Sequence, residues 1–308
     1  MRFKQLGLVV IDEQHRFGVL QRATLRAKGL HPDVLVMTAT PIPRTLALTE
    51  YGDLDVTRLR ELPRGRQPIA THVAASAAER ARAYERIREE LRAGRQAYVV
   101  CPMVEESEAL QARAATAEYE RLRTGELREF RLELLHGQLR PPEKRAAMAR
   151  FAAGTADVMV ATTVIEVGVD VPNATVMLVE NAERYGISQL HQLRGRIGRG
   201  EHPSVCLLFG PRNARRLRAL AEHSDGFALA EIDLQLRGEG ELAGTRQHGQ
   251  AEPRVAILPQ DAALLERARA WAARLLAADP TLSAPEHALL GAALERALGA
   301  EAHEPIPA

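Results

Sequence analysis

Lysine is nearly absent from this chain of 308 residues. Arginine supplies almost all of its 41 basic side chains, and the lysines are confined to Lys4, Lys28 and Lys144. None of them lies in the pattern G-x-x-x-x-G-K-[ST], in which backbone N–H groups and a lysine hold the phosphates of a nucleotide. The sequence in hand therefore contains no phosphate-binding loop of that type.

Cysteine, metal-ligand patterns and long apolar runs are also scarce. Cys101 and Cys206 each lie in a strand-like apolar run, which favours small buried hydrophobes over a disulfide or a metal ligand. The ten histidines form no H-E-x-x-H or Cys/His ladder, so we expect no metal bound by those side chains. No run approaches the ~20 apolar residues of a bilayer span, and the first residues lack the apolar core of a signal peptide. We predict a cytoplasmic chain with no membrane partner.

Strand-like and helix-like segments alternate along most of the chain. The helix-like segment after residues 69–73 opens with a capping box formed by Ser76 and Glu79. Alternation of this kind predicts an α/β fold with a parallel, doubly wound sheet, and the prolines of residues 63–68 indicate a linker before it. The tail predicts two Ala/Leu-rich helices that are broken at Asp279.

Polar residues follow two predicted strands near the amino terminus. Asp12 and Glu13 directly follow the predicted strand at residues 7–11, and Thr38 and Thr40 follow the next predicted strand. A carboxylate pair at a strand end is where P-loop ATPases hold magnesium and orient the attacking water. An ordinary polar turn is the alternative, because a D-E-x-H sequence also occurs often by chance.

A second group of polar residues follows two later strands. Thr162 and Thr163 directly follow the apolar run 158–161, and His136 follows another predicted strand. The carboxyl ends of strands in an open parallel sheet are where such folds bind ligands. We expect these side chains to lie near one edge of the sheet.

Two arginines are predicted to share a helix face. Residues 188–199 favour a helix on which Gln192, Arg196 and Arg199 are spaced i, i+4 and i+7. Paired guanidinium groups match phosphate oxygens bidentately, so this pair suits a polyphosphate, with a solvated basic turn as the alternative. Residues 194–218 contain seven arginines and one acid, which fits an electrostatic footprint for nucleic acid.

Several motifs resemble those of one helicase family. T-T-x-x-x-x-G-x-D-x-P followed by Q-x-x-G-R-x-G-R resembles motifs V and VI of superfamily 2 helicases. DEQHRFGVLQR followed by MTATPIPRTLALTEYGDLD resembles motifs II and III of the RecG family. The glycine-rich residues 237–249 resemble the TRG motif (translocation in RecG), with departures at Glu239, Ala243 and His248.

The resemblance implies a role for each matching residue, with ATP and Mg²⁺ as cofactors. Asp12 would hold magnesium, with a second ligand outside the chain, Glu13 would position or activate water, and His15 would couple the nucleotide to the lobe interface. Arg196 and Arg199 would act as arginine fingers. Gly168, Asp170 and Gln192 would face the nucleotide. The DNA-binding or coupling positions would be Thr38, Thr40, His136, Thr162, Thr163, Arg237, Arg246 and Gln247.

The resemblance also implies a domain plan and a set of partners. It predicts the end of a truncated first RecA-like lobe at 1–66, a complete second lobe at 67–215, a TRG-like helical hairpin and loop at 216–250, and a helical region at 251–308. Because no phosphate-binding loop precedes Asp12, we expect a fragment that lacks the P-loop lobe and the amino-terminal wedge of the family. Branched double-stranded DNA and single-stranded DNA are the expected partners.

Two other interpretations stay open at this point. The chain could be a nucleic-acid-binding module without turnover, since half of the expected ATP site is absent. It could also be a fragment of a transcription-repair coupling translocase, although Gln14, His15, Gln21 and Arg22 favour the RecG pattern.

Overall fold

We describe the fold from a computed structural model, over residues 3–13, 28, 32–39, 57, 59, 61, 67–101, 108–166, 170–242 and 262–298. The chain divides into two compact units. One consists of Met1–Pro41 with Glu61–Leu236, and the other of Ile42–Arg60 with Arg237–Ala308.

Strands and helices alternate through most of the described residues. The strands are β1 (Leu8–Ile11), β2 (Asp33–Val36), β3 (Ile69–Ala74), β4 (Gln96–Val100), β5 (Leu132–Leu135), β6 (Val158–Ala161), β7 (Ala174–Val179) and β8 (Ser204–Phe209). The α-helices are α1 (Ala77–Arg92), α2 (Glu108–Thr124), α3 (Pro141–Ala152), α4 (Ile187–Arg194), α5 (Arg215–Glu222), α6 (Gly226–Leu242), α7 (Ala262–Ala278) and α8 (Ala288–Leu298). Short 3-10 turns lie at Thr163–Glu166, Ala182–Arg184 and Pro285–His287.

β1 and β2 form a small parallel sheet. Val9 pairs with Val34 and Val10 with Leu35. The pairing continues past the strands, since the Met37 N–H donates to the Ile11 carbonyl at 2.8 Å. The carboxyl ends of the two strands therefore meet at one edge.

The larger sheet has six strands in the order β3-β8-β7-β4-β6-β5, all of them parallel. Its inner strands β4, β6 and β7 are buried along their whole length, as expected of strands covered on both faces. This arrangement confirms the predicted α/β class with a doubly wound, RecA-like sheet.

Two separate apolar clusters cover the two faces of the six-stranded sheet. One joins strand residues such as Tyr98 to side chains of α3, α4, α5 and α6, including Phe151 and Leu190. The other packs side chains of α1 and α2, including Ile87 and Leu122, against the opposite face. Helices on both faces bury the inner strands, and polar groups reach the surface mainly beyond the two ends of the strands.

The start of α1 follows the predicted capping box. The Glu79 N–H donates to Ser76 Oγ at 3.3 Å, and the Ser76 N–H donates to the Glu79 carboxylate at 3.0 Å. Two orphan donors of the first turn are thereby satisfied. These bonds and that to the Ala75 N–H lower the pKa of Glu79 to about 2, the backbone bond to Ser76 contributing most.

The predicted helix over residues 188–199 is wrong in its second half. α4 ends at Arg194, with Gly195 as its carboxyl-terminal cap. The following N–H groups bond three residues back, Arg196 to Leu193 at 2.9 Å and Ile197 to Arg194 at 3.2 Å, so the chain tightens and leaves the helix. Arg196 and Arg199 therefore do not share a helix face with Gln192.

The glycine-rich segment after Leu236 is also more regular than its composition suggests. Four glycines among residues 237–249 favour a flexible loop, but the backbone of α6 stays helical through Gly238 and Gly240 to Leu242. Each glycine costs a helix interior about 1 kcal/mol relative to alanine, so composition lowers helical stability here without forbidding the helix.

The carboxyl-terminal residues form the two predicted helices. α7 ends at Ala278 and α8 begins at Ala288, so the break falls at Asp279 as the sequence indicates. Within the described ranges, no helix combines the length and the apolarity that a membrane crossing requires.

Candidate functional site

The arginine loop, residues 195–200, leaves α4 along a path that glycine permits. Gly198 has a φ of 71°, in the left-handed region that side chains rarely adopt. A Cβ there would lie 2.8 Å from Cγ1 of Ile69, and one on Gly200 would collide with the Pro172 carbonyl. The two glycines thus hold the loop against the starts of β3 and β7.

Arg199 and Asp170 meet in this loop region. Arg199 Nη1 lies 3.3 Å from Asp170 Oδ1, and the Arg199 Nε donates to the Gly195 carbonyl at 3.1 Å. The two side chains are 33% and 56% exposed, so their ion pair contributes at most about 1 kcal/mol. The fold brings together two residues that the sequence placed in different motifs, and it holds them weakly enough for Arg199 to take another anion.

This pair lies at the amino-terminal edge of the sheet. The loop contacts Ile69, the first residue of β3, and Pro172, two residues before β7, and it leads into Ser204 at the start of β8. The predicted threonine and histidine ligands follow strand carboxyl ends instead. The two candidate groups therefore occupy opposite edges of one sheet.

Tyr98 belongs to the arginine region, although sequence reasoning did not single it out. Its ring packs against Phe151 with centroids 4.9 Å apart, and the residue is only 3% exposed. Burial raises the pKa of its hydroxyl to about 12, and the charges of Arg196, Arg199 and Asp170 also act on that pKa. The only sequence signal was a tyrosine within an otherwise aliphatic strand.

Arg194 is a second residue that sequence reasoning missed. It is 5% exposed, and its Nη1 donates to the carbonyls of Leu220 at 2.7 Å and His223 at 3.0 Å. Its Nη2 lies 3.0 Å from His191 Nδ1. The guanidinium thus binds the last carbonyls of α5, where a cation is favourable, and ties the helix before the arginine loop to the turn before α6.

The carboxyl-terminal edge collects His136, Thr162 and Thr163, as predicted. β5 and β6 are neighbours, and the Thr162 N–H donates to the Leu135 carbonyl at 3.1 Å. Thr162 is 4% exposed while Thr163 is half-buried, so Thr163 is the more accessible of the two. The three residues share one edge, with Thr162 mostly beneath it.

His136 is half-buried and electrostatically unusual. Its Nδ1 is enclosed and makes no hydrogen bond within the residues that the structure describes. Burial first, and then the charge of Lys144, lower the pKa of His136. Lys144 itself donates to the Gly137 carbonyl at 2.5 Å. Both effects favour the neutral imidazole, which lies near Lys144 at the carboxyl end of β5.

A mixed-charge cluster also lies at the carboxyl ends of the strands, which sequence reasoning missed. Glu180 directly follows β7; it accepts a hydrogen bond from the Tyr84 hydroxyl at 3.3 Å and lies 3.8 Å from Arg80. Arg121 donates to the same hydroxyl at 2.6 Å. Burial, followed by the charge of Glu118, raises the pKa of Glu180. These contacts connect α1 and α2 to the end of β7, and no sequence spacing predicts them.

Asp12, Glu13 and Thr38 lie together at the edge of the small sheet. Asp12 and Thr38 are exposed, and the Glu13 N–H donates to Asp12 Oδ1 at 2.9 Å. Glu13 has a φ of 53°, a left-handed conformation that costs a non-glycine residue about 1–2 kcal/mol. Strain of this kind is typical of functional positions.

Other predicted positions lie outside the described residues. These are His15, Thr40, Gly168, Arg246 and Gln247, and for Arg237 only the helical backbone is described. Gln192 lies half-buried in α4. Among the described side chains, no group of three or more His, Cys, Asp or Glu is arranged to hold a metal ion.

The residues present fit a magnesium–nucleotide complex. Magnesium prefers oxygen ligands and is commonly held by one or two carboxylates together with phosphates and water. Asp12 offers an exposed carboxylate, and Arg199 offers a guanidinium whose ion pair is weak. Among the described residues, Asp12 accepts one hydrogen bond, from the Glu13 N–H, and Arg199 has its pair with Asp170 and one bond to a backbone carbonyl.

Comparison with known proteins agrees with this fold. Residues 80–201 match the model of the helicase conserved C-terminal domain. Residues 223–299 match the model described as ATP-dependent DNA helicase RecG, domain 3, C-terminal. The fold and the paired motifs define the carboxyl-terminal, RecA-like lobe of a helicase.

The particular family follows from the relatives. "ATP-dependent DNA helicase RecG" of Synechocystis sp. is 54% identical over 92% of this chain and 34% of its own length. That of Mycobacterium bovis is 60% identical over 81% of this chain and 36% of its own. A solved structure of RecG bound to a three-way DNA junction is 44% identical, with a TM-score of 0.64, over 86% of this chain and 34% of that one. The chain belongs to the RecG family.

The match has a defined extent. The chain spans about a third of the length of these relatives, and one of the two family models that it matches is described as carboxyl-terminal. What the whole relatives do comes to this chain only as a proposal.

Proposed function

We propose that this chain is the carboxyl-terminal motor portion of an ATP-dependent DNA helicase that acts on branched DNA, at stalled forks and Holliday junctions in recombination and repair. The relatives named as ATP-dependent DNA helicases and the solved relative bound to a three-way junction support the proposal. The single observation that carries it is the 3.3 Å pair of Arg199 with Asp170.

Arg199 would exchange Asp170 for a nucleotide phosphate. An exposed ion pair contributes at most about 1 kcal/mol, whereas a charge-assisted, bidentate phosphate contact is roughly twice as strong as a neutral hydrogen bond. The exchange is therefore favourable whenever a phosphate reaches the loop. Gly198 and Gly200 keep the loop in place while the side chain turns.

The carboxylates of the small sheet would complete the site. Bound MgATP would supply the phosphoanhydride whose hydrolysis drives movement. Asp12 would hold the metal, and Glu13, fixed by its N–H bond to Asp12, would orient the attacking water. This chain contains no phosphate-binding lysine loop, so we expect the 308 residues alone to show no DNA-stimulated ATPase above background.

DNA would contact the opposite edge of the sheet. Thr163 and His136 are two half-buried polar groups there, and a neutral His136 can both donate and accept a hydrogen bond. Nucleotide and DNA would thus contact opposite edges of the same rigid sheet. Motion of the lobe on hydrolysis would be passed to the DNA without rearrangement of the core.

The test uses a protein that joins this chain to the amino-terminal portion of the Mycobacterium bovis relative. Arg199→Ala should lower kcat for ATP by roughly 10³-fold, the scale of a lost arginine finger, with DNA affinity nearly unchanged. Arg123→Ala is the matched control, because Arg123 pairs with Glu120 on α2, away from the arginine loop.

Three outcomes separate the proposal from its alternatives. Collapse of DNA affinity with an intact kcat would make Arg199 a ligand of the DNA backbone and overturn the assignment. Salt-dependent DNA binding with no ATPase in the joined protein would favour a binding module without turnover. Robust ATPase by the 308 residues alone, abolished by Glu13→Gln, would contradict the expectation that another lobe is needed.

A further inference from the structure

Tyr98 belongs to the apolar core on which the arginine site is built. The same apolar cluster contains Val171 and Ile197, which directly follow Asp170 and Arg196 in the chain. The backbone that carries these charges is therefore anchored on the core that contains the Tyr98 ring. The charges of Arg196, Arg199 and Asp170 all act on the tyrosine's titration, as expected from this placement.

The ring is fixed while the hydroxyl is uncommitted. Phe151 packs against the ring with centroids 4.9 Å apart, and the residue as a whole is 3% exposed. Within the part of the chain that the structure describes, the hydroxyl makes no hydrogen bond, yet it is not among the fully enclosed polar atoms. Buried tyrosines usually pair their hydroxyl, so an unpaired one that still meets solvent beside two arginines calls for a ligand.

The chemistry of that ligand follows from the surrounding charges. A tyrosine with a pKa of about 12 stays protonated under physiological conditions and so remains a hydrogen-bond donor. Two guanidinium groups beside it favour an anion, and the donors of all three groups suit a tetrahedral oxyanion with several acceptor oxygens. A phosphate group fits these requirements better than a carboxylate, because its oxygens are arranged tetrahedrally whereas the two carboxylate oxygens lie in one plane.

We propose that the Tyr98 hydroxyl is a third phosphate ligand of this site and donates a hydrogen bond to the nucleotide phosphate that Arg196 and Arg199 bind. This inference rests on the proposed function and deepens it by adding a neutral donor from β4. A rigid donor on a central strand gives the phosphate position a fixed reference beside the two longer arginine side chains.

The experiment uses the 308-residue chain itself and inorganic triphosphate as the probe. The rings of the five tyrosines are isotope-labelled, their NMR signals are assigned by single Tyr→Phe replacements, and triphosphate is titrated to millimolar concentration. We expect a saturable shift of the Tyr98 signal. Tyr98→Phe should weaken triphosphate binding about fivefold, the loss of one hydrogen bond of ordinary strength, and Arg123→Ala should not weaken it.

The outcomes distinguish this inference from the function on which it rests. Unchanged triphosphate binding in Arg199→Ala would remove the phosphate site and the proposed function with it. Weakened binding in Arg199→Ala, with a silent Tyr98 signal and normal binding in Tyr98→Phe, would overturn only the role of Tyr98. A Tyr98 signal that responds to Asp170→Asn but not to triphosphate would assign the hydroxyl to Asp170 instead. The signal is read in the unsubstituted chain, so the test survives a misfolded variant.

Discussion

Three arginines within six residues have three different environments. Arg194 is buried on backbone carbonyls, Arg196 is half-buried, and Arg199 is exposed beside Asp170. The motif pattern predicts that arginines matter here, but residue type alone does not say which one is structural. That distinction depends on where α4 ends and on the carbonyls of α5, which lie more than twenty residues further along the chain.

Arg194 should matter more for stability than either of its neighbours. Arg194→Met would leave the Leu220 and His223 carbonyls without their donor, each at about 1–3 kcal/mol, so we expect a loss of about 3 kcal/mol in the free energy of unfolding. Urea denaturation of the 308-residue chain measures it. Arg194→Lys should recover little, because an ammonium lacks the fork that reaches both carbonyls.

A matched arginine on the surface serves as the control. Arg218→Met removes an exposed side chain from α5 and should change stability by less than about 0.5 kcal/mol. An equal loss in both variants would show that helix propensity or net charge, and not the buried contacts of Arg194, sets the effect.

At the scale of elements, the sequence pattern predicted which helices and strands form better than it predicted where they end. The alternation of strands and helices gave the sheet class, and the Ser76 capping box fixed the start of α1. The predicted end of α4 was wrong because the i, i+4, i+7 spacing was extended through Gly195 and Gly198, where the chain leaves the helix. α6 shows the opposite case. Its glycine-rich composition favours a loop, but the backbone is helical through Gly238 and Gly240.

The turn between α7 and α8 gives a prediction about pH. Asp279 accepts hydrogen bonds from His287 at 2.8 Å and from the N–H groups of Ala284 and Ser283 at 3.0 and 3.1 Å. These bonds, that of His287 foremost, lower the pKa of Asp279 from 3.8 to about 2. A carboxylate whose pKa is lower in the folded chain than in the unfolded chain stabilises the folded state at any pH above its unfolded-state pKa. This stabilisation is lost as the pH falls through its folded-state pKa.

Hydrogen exchange at the turn checks this prediction. We expect the Ser283 and Ala284 amides, corrected for intrinsic rates, to stay protected above pH 4 and to lose protection toward pH 2. Asp279→Asn should expose them already at neutral pH. Glu286→Gln, an exposed acid on the adjoining 3-10 turn, is the control and should leave the profile unchanged. Protection in Asp279→Asn equal to that of the unsubstituted chain would refute a stabilising role for this carboxylate.

At the scale of the whole molecule, the sequence located the motifs but not their separation. Thr162 and Asp170 are eight residues apart and lie in the same T-T-x-x-x-x-G-x-D-x-P motif. The fold sends the first to the carboxyl edge of β6 and the second to the amino edge of β7, because a parallel connection must cross the whole sheet. Residues such as Tyr98 and Glu180 join these edges only through tertiary packing, which no local spacing encodes.

The proposed binding of nucleotide and DNA at opposite edges requires an element that carries motion from one to the other. Arg194 ties α4 to the carboxyl end of α5, and the turn after α5 starts α6, whose Phe227 N–H bonds Asp225 at 3.0 Å. α6 then stays helical to Leu242, where the TRG-like residues continue. A continuous path of bonds and helices thus leads from the arginine loop into that motif, which favours a mechanical role for it.

Substitutions in the TRG-like motif should therefore separate two activities. Neither Arg237 nor Gln247 lies in a motif with a catalytic acid, a base or a phosphate ligand, so Arg237→Ala and Gln247→Ala in the joined protein should leave ATPase near normal. Fork unwinding, measured on the same preparations with a labelled three-strand substrate, should fall sharply because lobe motion no longer reaches the DNA. Arg199→Ala provides the contrast, since it should lose both activities together. Parallel loss of ATPase and unwinding in the Arg237 and Gln247 variants would indicate a folding or nucleotide role, and unchanged unwinding would reduce the segment to a connector.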